Sequence, residues 1–209
     1  MIKLSLMRLL PIVFGIITLL LVSCSEQDPN PIIKNNVEDV QPIKTISIER
    51  FDKAFQTLTG DFDTTKVRAF VNQYPSLSKD YLNRILRVQS PRMSQQENDH
   101  YLALFLKDTA INAILDTTIN TFSDLAPVEH LLTKHLSLYK HYLPQQDIPH
   151  FMSYFSGMNY QNWLYGDTLL IGLDLFMGDD FPYPASIPQF IRAGYHSDCL
   201  LYTSDAADD

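Results

Sequence analysis

Asn159-Tyr160-Gln161-Asn162-Trp163-Leu164-Tyr165-Gly166-Asp167-Thr168-Leu169-Leu170-Ile171-Gly172-Leu173-Asp174 is the stretch on which the fold turns. An aromatic-rich run leads into Gly166-Asp167, a dipeptide that marks a tight turn, and an aliphatic run leaves it. Upstream, residues 151–156 form another aromatic-rich run, set apart by Gly157. Three short strands in succession predict an antiparallel meander. Downstream, Gly178 and the prolines Pro182, Pro184 and Pro188 mark a loop before Phe190.

Before Pro149 the apolar spacing changes from strand-like to helical. Phe51, Phe55 and Leu58 recur at i, i+4 and i+7, as do Val67, Val71 and Tyr74 after a capping Asp63 or Thr64, with Pro75 as the stop. Tyr81, Leu82, Ile85 and Val88 repeat the pattern. Ser94-Gln95-Gln96-Glu97 is a capping-box sequence, in which the serine hydroxyl and the glutamate carboxylate each satisfy an amide of the other. It predicts a helix through Phe105. Asp108 opens another, over Ile111, Ile114, Leu115 and Thr118, and Pro127 sits just inside a third with Leu131, Leu132, His135, Leu138 and Tyr142. Residues 43–48 alternate with β-branched positions and predict a first strand. A strand, then helices, then a meander makes an α+β class, helix-rich between its strands.

Both ends of the chain read as something other than folded domain. Lys3 and Arg8 precede an uncharged apolar run that ends Leu21-Val22-Ser23-Cys24, the pattern of a bacterial lipoprotein leader. The run is shorter than the roughly 20 residues a spanning helix needs. Residues 1–23 are therefore expected to be a cleaved signal peptide, with Cys24 as the lipidation site. Its thiol would carry diacylglycerol and its amine an acyl group, and more than one chain gives stable anchoring at about 0.8 kcal/mol per buried methylene. Residues 24–42, with Pro29, Pro31 and Pro42, read as an extended tether. Ser25, not an aspartate, follows the cysteine, which favours the outer membrane. At the other end, residues 199–209 read like translated sequencing adapter and are set aside from the fold reasoning. That leaves residues 43–198 for one domain.

The whole chain carries a net charge of −8. Without Lys3 and Arg8 of the leader and the three aspartates of the tail, it is about −7. A mildly acidic surface argues against nucleic acid, and Arg84, Arg87 and Arg92 are too sparse to neutralise a phosphate backbone. The only cysteines are Cys24 and Cys199, so the domain has no internal disulfide to brace it. An apolar core must do that work, and 12 Phe with 11 Tyr supply large buried areas.

No catalytic motif emerges. His130 and His135 are separated by about 140° around a helix, whereas two ligands on one helix sit at i, i+3 or i, i+4. His141 lies on or near the same helix, and His150 and His196 are isolated in sequence. Of the carboxylates, Asp61 with Asp63 and Asp179 with Asp180 read as turn and cap residues. Asp174 stands out because it ends an apolar strand, where it would act as a general base or metal ligand, or else cap a turn. There is no Gly-x-Ser-x-Gly and no phosphate-cradling glycine loop. Trp163 with Tyr154, Tyr160 and Tyr165 offers either a sugar-stacking platform or strand-to-strand packing.

Four segments in order, Ile48-Glu49-Arg50-Phe51-Asp52-Lys53-Ala54-Phe55, Tyr74-Pro75, Tyr139-Lys140-His141-Tyr142-Leu143-Pro144 and Leu169-Leu170-Ile171-Gly172-Leu173-Asp174-Leu175-Phe176-Met177-Gly178, resemble the gliding-motility lipoprotein family GldB. In the last segment Met177 stands where the family has leucine. The resemblance implies an envelope lipoprotein, held in lipid through acylated Cys24, that serves surface gliding and the associated type IX secretion beside other envelope proteins. It implies a fold like the N-terminal part of a zincin-type protease, in a piece truncated at its C-terminus. It carries over no catalytic residue, cofactor or metal ligand. The alternatives are a zinc-dependent hydrolase whose active-site helix lies beyond the end of this sequence, and a carbohydrate-binding lipoprotein.

Overall fold

Asp63 accepts the amides of Thr65 (2.8 Å) and Lys66 (3.4 Å), which fixes where the first long helix starts. The computed structural model describes residues 40–178, 181–183, 187–196 and 199, and all the elements below lie in the unit Gln41–Asp209. Strand β1 (Ile48–Arg50) runs straight into α1 (Phe51–Gln56). Then come α2 (Thr64–Gln73), α3 (Pro75–Asp80) and one widened turn at Tyr81–Ile85. Helices α4 (Gln95–Lys107), α5 (Thr109–Thr121) and α6 (Ala126–Tyr142) complete the helical section. Strands β2 (His150–Tyr154), β3 (Asn162–Tyr165) and β4 (Thr168–Gly172) precede a 3-10 turn (Leu173–Leu175) and the short α7 (Gln189–Arg192).

The helix starts follow their capping residues. Ser94 and Glu97 form the reciprocal box, and Asp108 accepts the amides of Ala110 and Ile111. Pro75 does not simply end α2; it occupies the first turn of α3, where its missing N–H has no cost.

The α+β class stands, with a four-stranded mixed sheet, but the meander does not. Sheet order is β1-β2-β4-β3. Strands β3 and β4 form the antiparallel hairpin that Gly166-Asp167 predicts, in register Trp163 with Leu170. Strand β2, however, pairs with β4 in parallel, Met152 against Leu170, and with β1 in parallel, Glu49 against Met152. The hairpin is turned so that its aliphatic strand lies inside the sheet and the more polar β3, with exposed Leu164, takes the edge. Leu169-Leu170-Ile171 is an unbroken apolar run because both faces of β4 are covered.

Alternate residues of β2 and β4 feed two cores. Met152, Tyr154 and Leu170 face a cluster built on α1 to α5, with Phe51 at its centre. The Phe51 ring lies 4.9 Å from both Tyr74 and Tyr81, edge-on, and 5.0 Å from Phe70. Such contacts add about 0.5–1.5 kcal/mol each beyond their area. Phe151 and Ile171 face a second cluster with Leu132 of α6, Leu173, Leu175 and Phe176.

The first strand is shorter than the pattern of residues 43–48 suggests, beginning only at Ile48. Its outer edge explains this. The amides of Ile43, Ile46 and Ile48 donate to Ser137 Oγ (3.1 Å), Thr133 Oγ1 (2.9 Å) and Glu129 Oε1 (2.8 Å), which lie one turn apart on α6. A helix thus does the work of a neighbouring strand, and an edge that would template pairing with another chain is blocked.

Candidate functional site

The chemistry of the described residues concentrates where β4 gives way to the 3-10 turn. Gly172 must lack a side chain, because a Cβ there would collide with the Tyr160 carbonyl oxygen and lie 3.1 Å from that of Gln161. The close approach lets the Gly172 amide donate to Gln161 at 2.6 Å and brings residues 156–161 over the strand end. Asp174, two residues on, is fully buried beneath them. Its Oδ1 accepts the Ser156 amide (2.8 Å), and its Oδ2 accepts the Ser156 hydroxyl (2.9 Å) and the Met158 amide (2.7 Å). Gly157 and Met158 are both left-handed, at φ +64° and +62°, and this aims the Met158 amide inward with that of Ser156. Such a turn makes a concave cradle for an anion. Here Asp174 fills it.

Burial pushes the Asp174 carboxyl above its ordinary value, against the pull of the Ser156 and Met158 hydrogen bonds. The surrounding phenols respond to the same environment. Tyr81 donates to the Phe155 carbonyl (2.7 Å) and is raised well above the usual phenol range, first by burial and then by the charge of Asp174. Tyr154 donates to the Tyr160 carbonyl (2.9 Å) and is raised for the same two reasons. Tyr183, whose hydroxyl accepts the Met177 amide at 2.8 Å, is pushed up to about 12 by burial.

Above this clamp lies a groove of about 640 Å³ between α5 and the segment after β4. Ala110, Ala113 and Thr117 form one wall, and Met158, Met177 and Phe181 the other. The Thr117 hydroxyl is committed to the Ala113 carbonyl (2.7 Å) and that of Thr118 to Ile114 (2.8 Å). The lining is mostly apolar among the described residues, so the groove can seat an apolar group.

A second buried carboxylate was not singled out in the sequence. Asp52, fully buried at the start of α1, is gripped in two places by Arg50 (Nε to Oδ1, 2.9 Å; Nη2 to Oδ2, 2.6 Å) and accepts the Ser153 hydroxyl at 2.7 Å. Arg50 Nη1 also donates to the Phe122 carbonyl at 2.7 Å. The network staples β1, β2 and the end of α5. An acid in the first helical turn just after a basic residue was the available signal.

The other sequence candidates do not converge. Asp61 pairs with Lys107 at 3.1 Å on the surface, and Asp63 caps α2. His130, His135 and His141 point outward from α6, and exposed His150 lies 3.9 Å from Asp167. Tyr154 is buried in the core, and the half-buried Trp163 packs against it and Tyr165 (6.4 and 5.2 Å), so three of the four proposed platform residues lie in or against the core. The Tyr160 hydroxyl takes a bond from Arg87 at 3.0 Å. Among the described residues, no group of three His, Cys, Asp or Glu side chains is placed to hold a metal ion, and no helix is long and apolar enough to cross a membrane. Cys24, Asp179 and Asp180 lie outside the described residues.

Residues 33–204 match the family model for gliding motility protein GldB. The chain belongs to the GldB family. None of the curated proteins and none of the solved structures compared with it matches. Two of the segments that resemble GldB hold the buried carboxylates: the one from Ile48 to Phe55 carries Asp52, and the one from Leu169 to Gly178 carries Asp174. Both segments do structural work in this GldB chain, tying strand ends to the loops and helices that follow them.

Proposed function

We propose that this GldB family member is a lipid-anchored, non-catalytic part of the gliding motility apparatus, held at the cell envelope by acyl chains on Cys24 and acting through contact with other envelope proteins. The motility assignment rests on the family match, and the anchor on the leader that ends at Leu21-Val22-Ser23-Cys24. The observation that carries the non-catalytic reading is the fate of the two buried carboxylates. Asp52 and Asp174 are each engaged by donors from inside the protein, and neither faces the groove as a base. We extend the reading to the outer membrane and to the type IX secretion apparatus through the family resemblance. No observation favours the zinc-hydrolase or carbohydrate-binding alternative.

The test is replacement of the chromosomal gene in a gliding bacterium that carries it. Cys24→Ala is expected to release the protein from membranes and stop spreading. Conservative swaps of exposed titratable side chains, such as His100→Gln and His150→Gln, are expected to leave gliding intact. Loss of gliding from such a swap, at wild-type protein level and melting temperature, would mean that the side chain does chemistry.

A further inference from the structure

Helix α6 has two sides with different tasks. Its only carboxylate, Glu129, is turned inward to the Ile48 amide, with Thr133 and Ser137 on the same side bonded to Ile46 and Ile43. At about 100° per residue, the opposite arc of roughly 140° holds one fixed positive charge, Lys134, and three imidazoles, His130, His135 and His141. Between them lie Leu131, Leu138 and Tyr142, of which Leu131 is 43% and Tyr142 46% exposed. The outward face has no negative charge, on a chain whose net charge is −8. The nearest acids along the chain stand at its ends: Asp124, which accepts the Ala126 amide at 2.8 Å, and Asp147 beyond the helix. Helix α4 provides the contrast. It also exposes apolar residues, Tyr101 and Leu104, but Glu97 and Asp99 lie within a turn of Tyr101.

An apolar stripe flanked by basic groups and free of acids, with a tyrosine near one end, is the chemistry of a helix that lies in a lipid interface. We propose that this face of α6 rests on an anionic phospholipid surface, with Leu131, Leu138 and Tyr142 entering the headgroup layer and Lys134 meeting phosphate. The inference rests on the acyl anchor at Cys24. Residues 24–42 span at most about 65 Å when fully extended, so an anchored domain stays within reach of the bilayer. One fixed charge and three apolar side chains give weak binding alone. The anchor supplies the local concentration that makes weak contact sufficient to set orientation.

The experiment uses the acylated full-length protein in nanodiscs, one set containing phosphatidylglycerol and one of phosphatidylcholine alone. Intact mass verifies acylation, and hydroxyl-radical footprinting reads side-chain accessibility. On anionic discs, modification of Leu131, His135 and Tyr142 is expected to fall at least threefold relative to detergent, while Tyr101 and Leu104 are unchanged. The double variant Lys134→Glu with His135→Glu, still acylated and with an unchanged circular dichroism spectrum, is expected to lose that protection. Acylated protein without protection on anionic discs, or with equal protection in the variant, overturns the proposal and leaves the anchor standing. Protection seen only in whole envelopes overturns it in favour of an acidic protein partner. A chain without acyl mass overturns anchor and inference together.

Discussion

Replacing Asp174 by asparagine separates the two forces acting on the clamp. The side chain is isosteric, so its packing is kept, but one of the two accepting oxygens becomes an NH2 group. Three donors converge on Asp174 at 2.7–2.9 Å. With the amide oxygen on the Ser156 side, the Met158 N–H faces another donor. The Ser156 hydroxyl is poorly placed to compensate, since it already accepts the Asn159 amide at 3.2 Å. Leaving a buried donor unsatisfied costs about 1–3 kcal/mol, partly offset because a buried charge is also removed. We expect Asp174→Asn to destabilise by about 2 kcal/mol, and Asp174→Ala, which strands all three donors, by about 4 kcal/mol. Urea titration followed by the fluorescence of the single tryptophan, Trp163, reads both values. The pH dependence adds a sign. Burial raises the folded-state value of Asp174 above its unfolded value, so its contribution to stability is fully present below about pH 3.8 and is lost as pH rises through the folded value. Asparagine has no such dependence. The wild-type advantage over Asp174→Asn should therefore widen as pH falls through the folded value. An advantage that narrows on acidification would mean that hydrogen bonding outweighs burial, and no advantage at any pH would remove the clamp from the account.

Further substitutions address the rest of the framework. Glu129→Ala should strand the Ile48 amide and cost about 1–2 kcal/mol, with faster hydrogen exchange at Ile48 than at Phe151, whose strand has neighbours on both sides. Gly172→Ala should cost 3 kcal/mol or more, because its Cβ meets backbone oxygens that cannot rotate away; the β3–β4 hairpin amides should exchange first. Asp52→Ala should remove the carboxylate that Arg50 and Ser153 share and cost about 3 kcal/mol at neutral pH, measured by the same urea titration.

The sequence was most informative where a single local rule decides the outcome. Asp63, Ser94 with Glu97, Asp108 and Pro127 each identify a helix start because capping acts within one turn. Gly166-Asp167 likewise gave the β3–β4 hairpin, since turn chemistry is local. The parallel pairing of β2 with β4 depends on which strand of that hairpin turns inward. The clue was Leu169-Leu170-Ile171, an apolar run without alternation, which marks a strand covered on both faces. The edge interaction at residues 43–48 was harder to foresee, because Glu129, Thr133 and Ser137 find their partners 81 to 94 residues away. Asp174 is conspicuous in the sequence as a polar residue ending an apolar strand. Its role depends on Ser156 and Met158, whose amides converge only once Gly157 and Met158 adopt left-handed backbone. Asp52 carries little local signal because its partner Ser153 belongs to a strand about a hundred residues downstream.

The proposal that one covalent modification holds this GldB chain at the envelope is tested directly by mass spectrometry of the protein purified from its native membranes. The expected result is a mature N-terminus at Cys24 carrying diacylglycerol on sulfur and an acyl group on its amine. An N-terminus elsewhere, or a free thiol at Cys24, would contradict it.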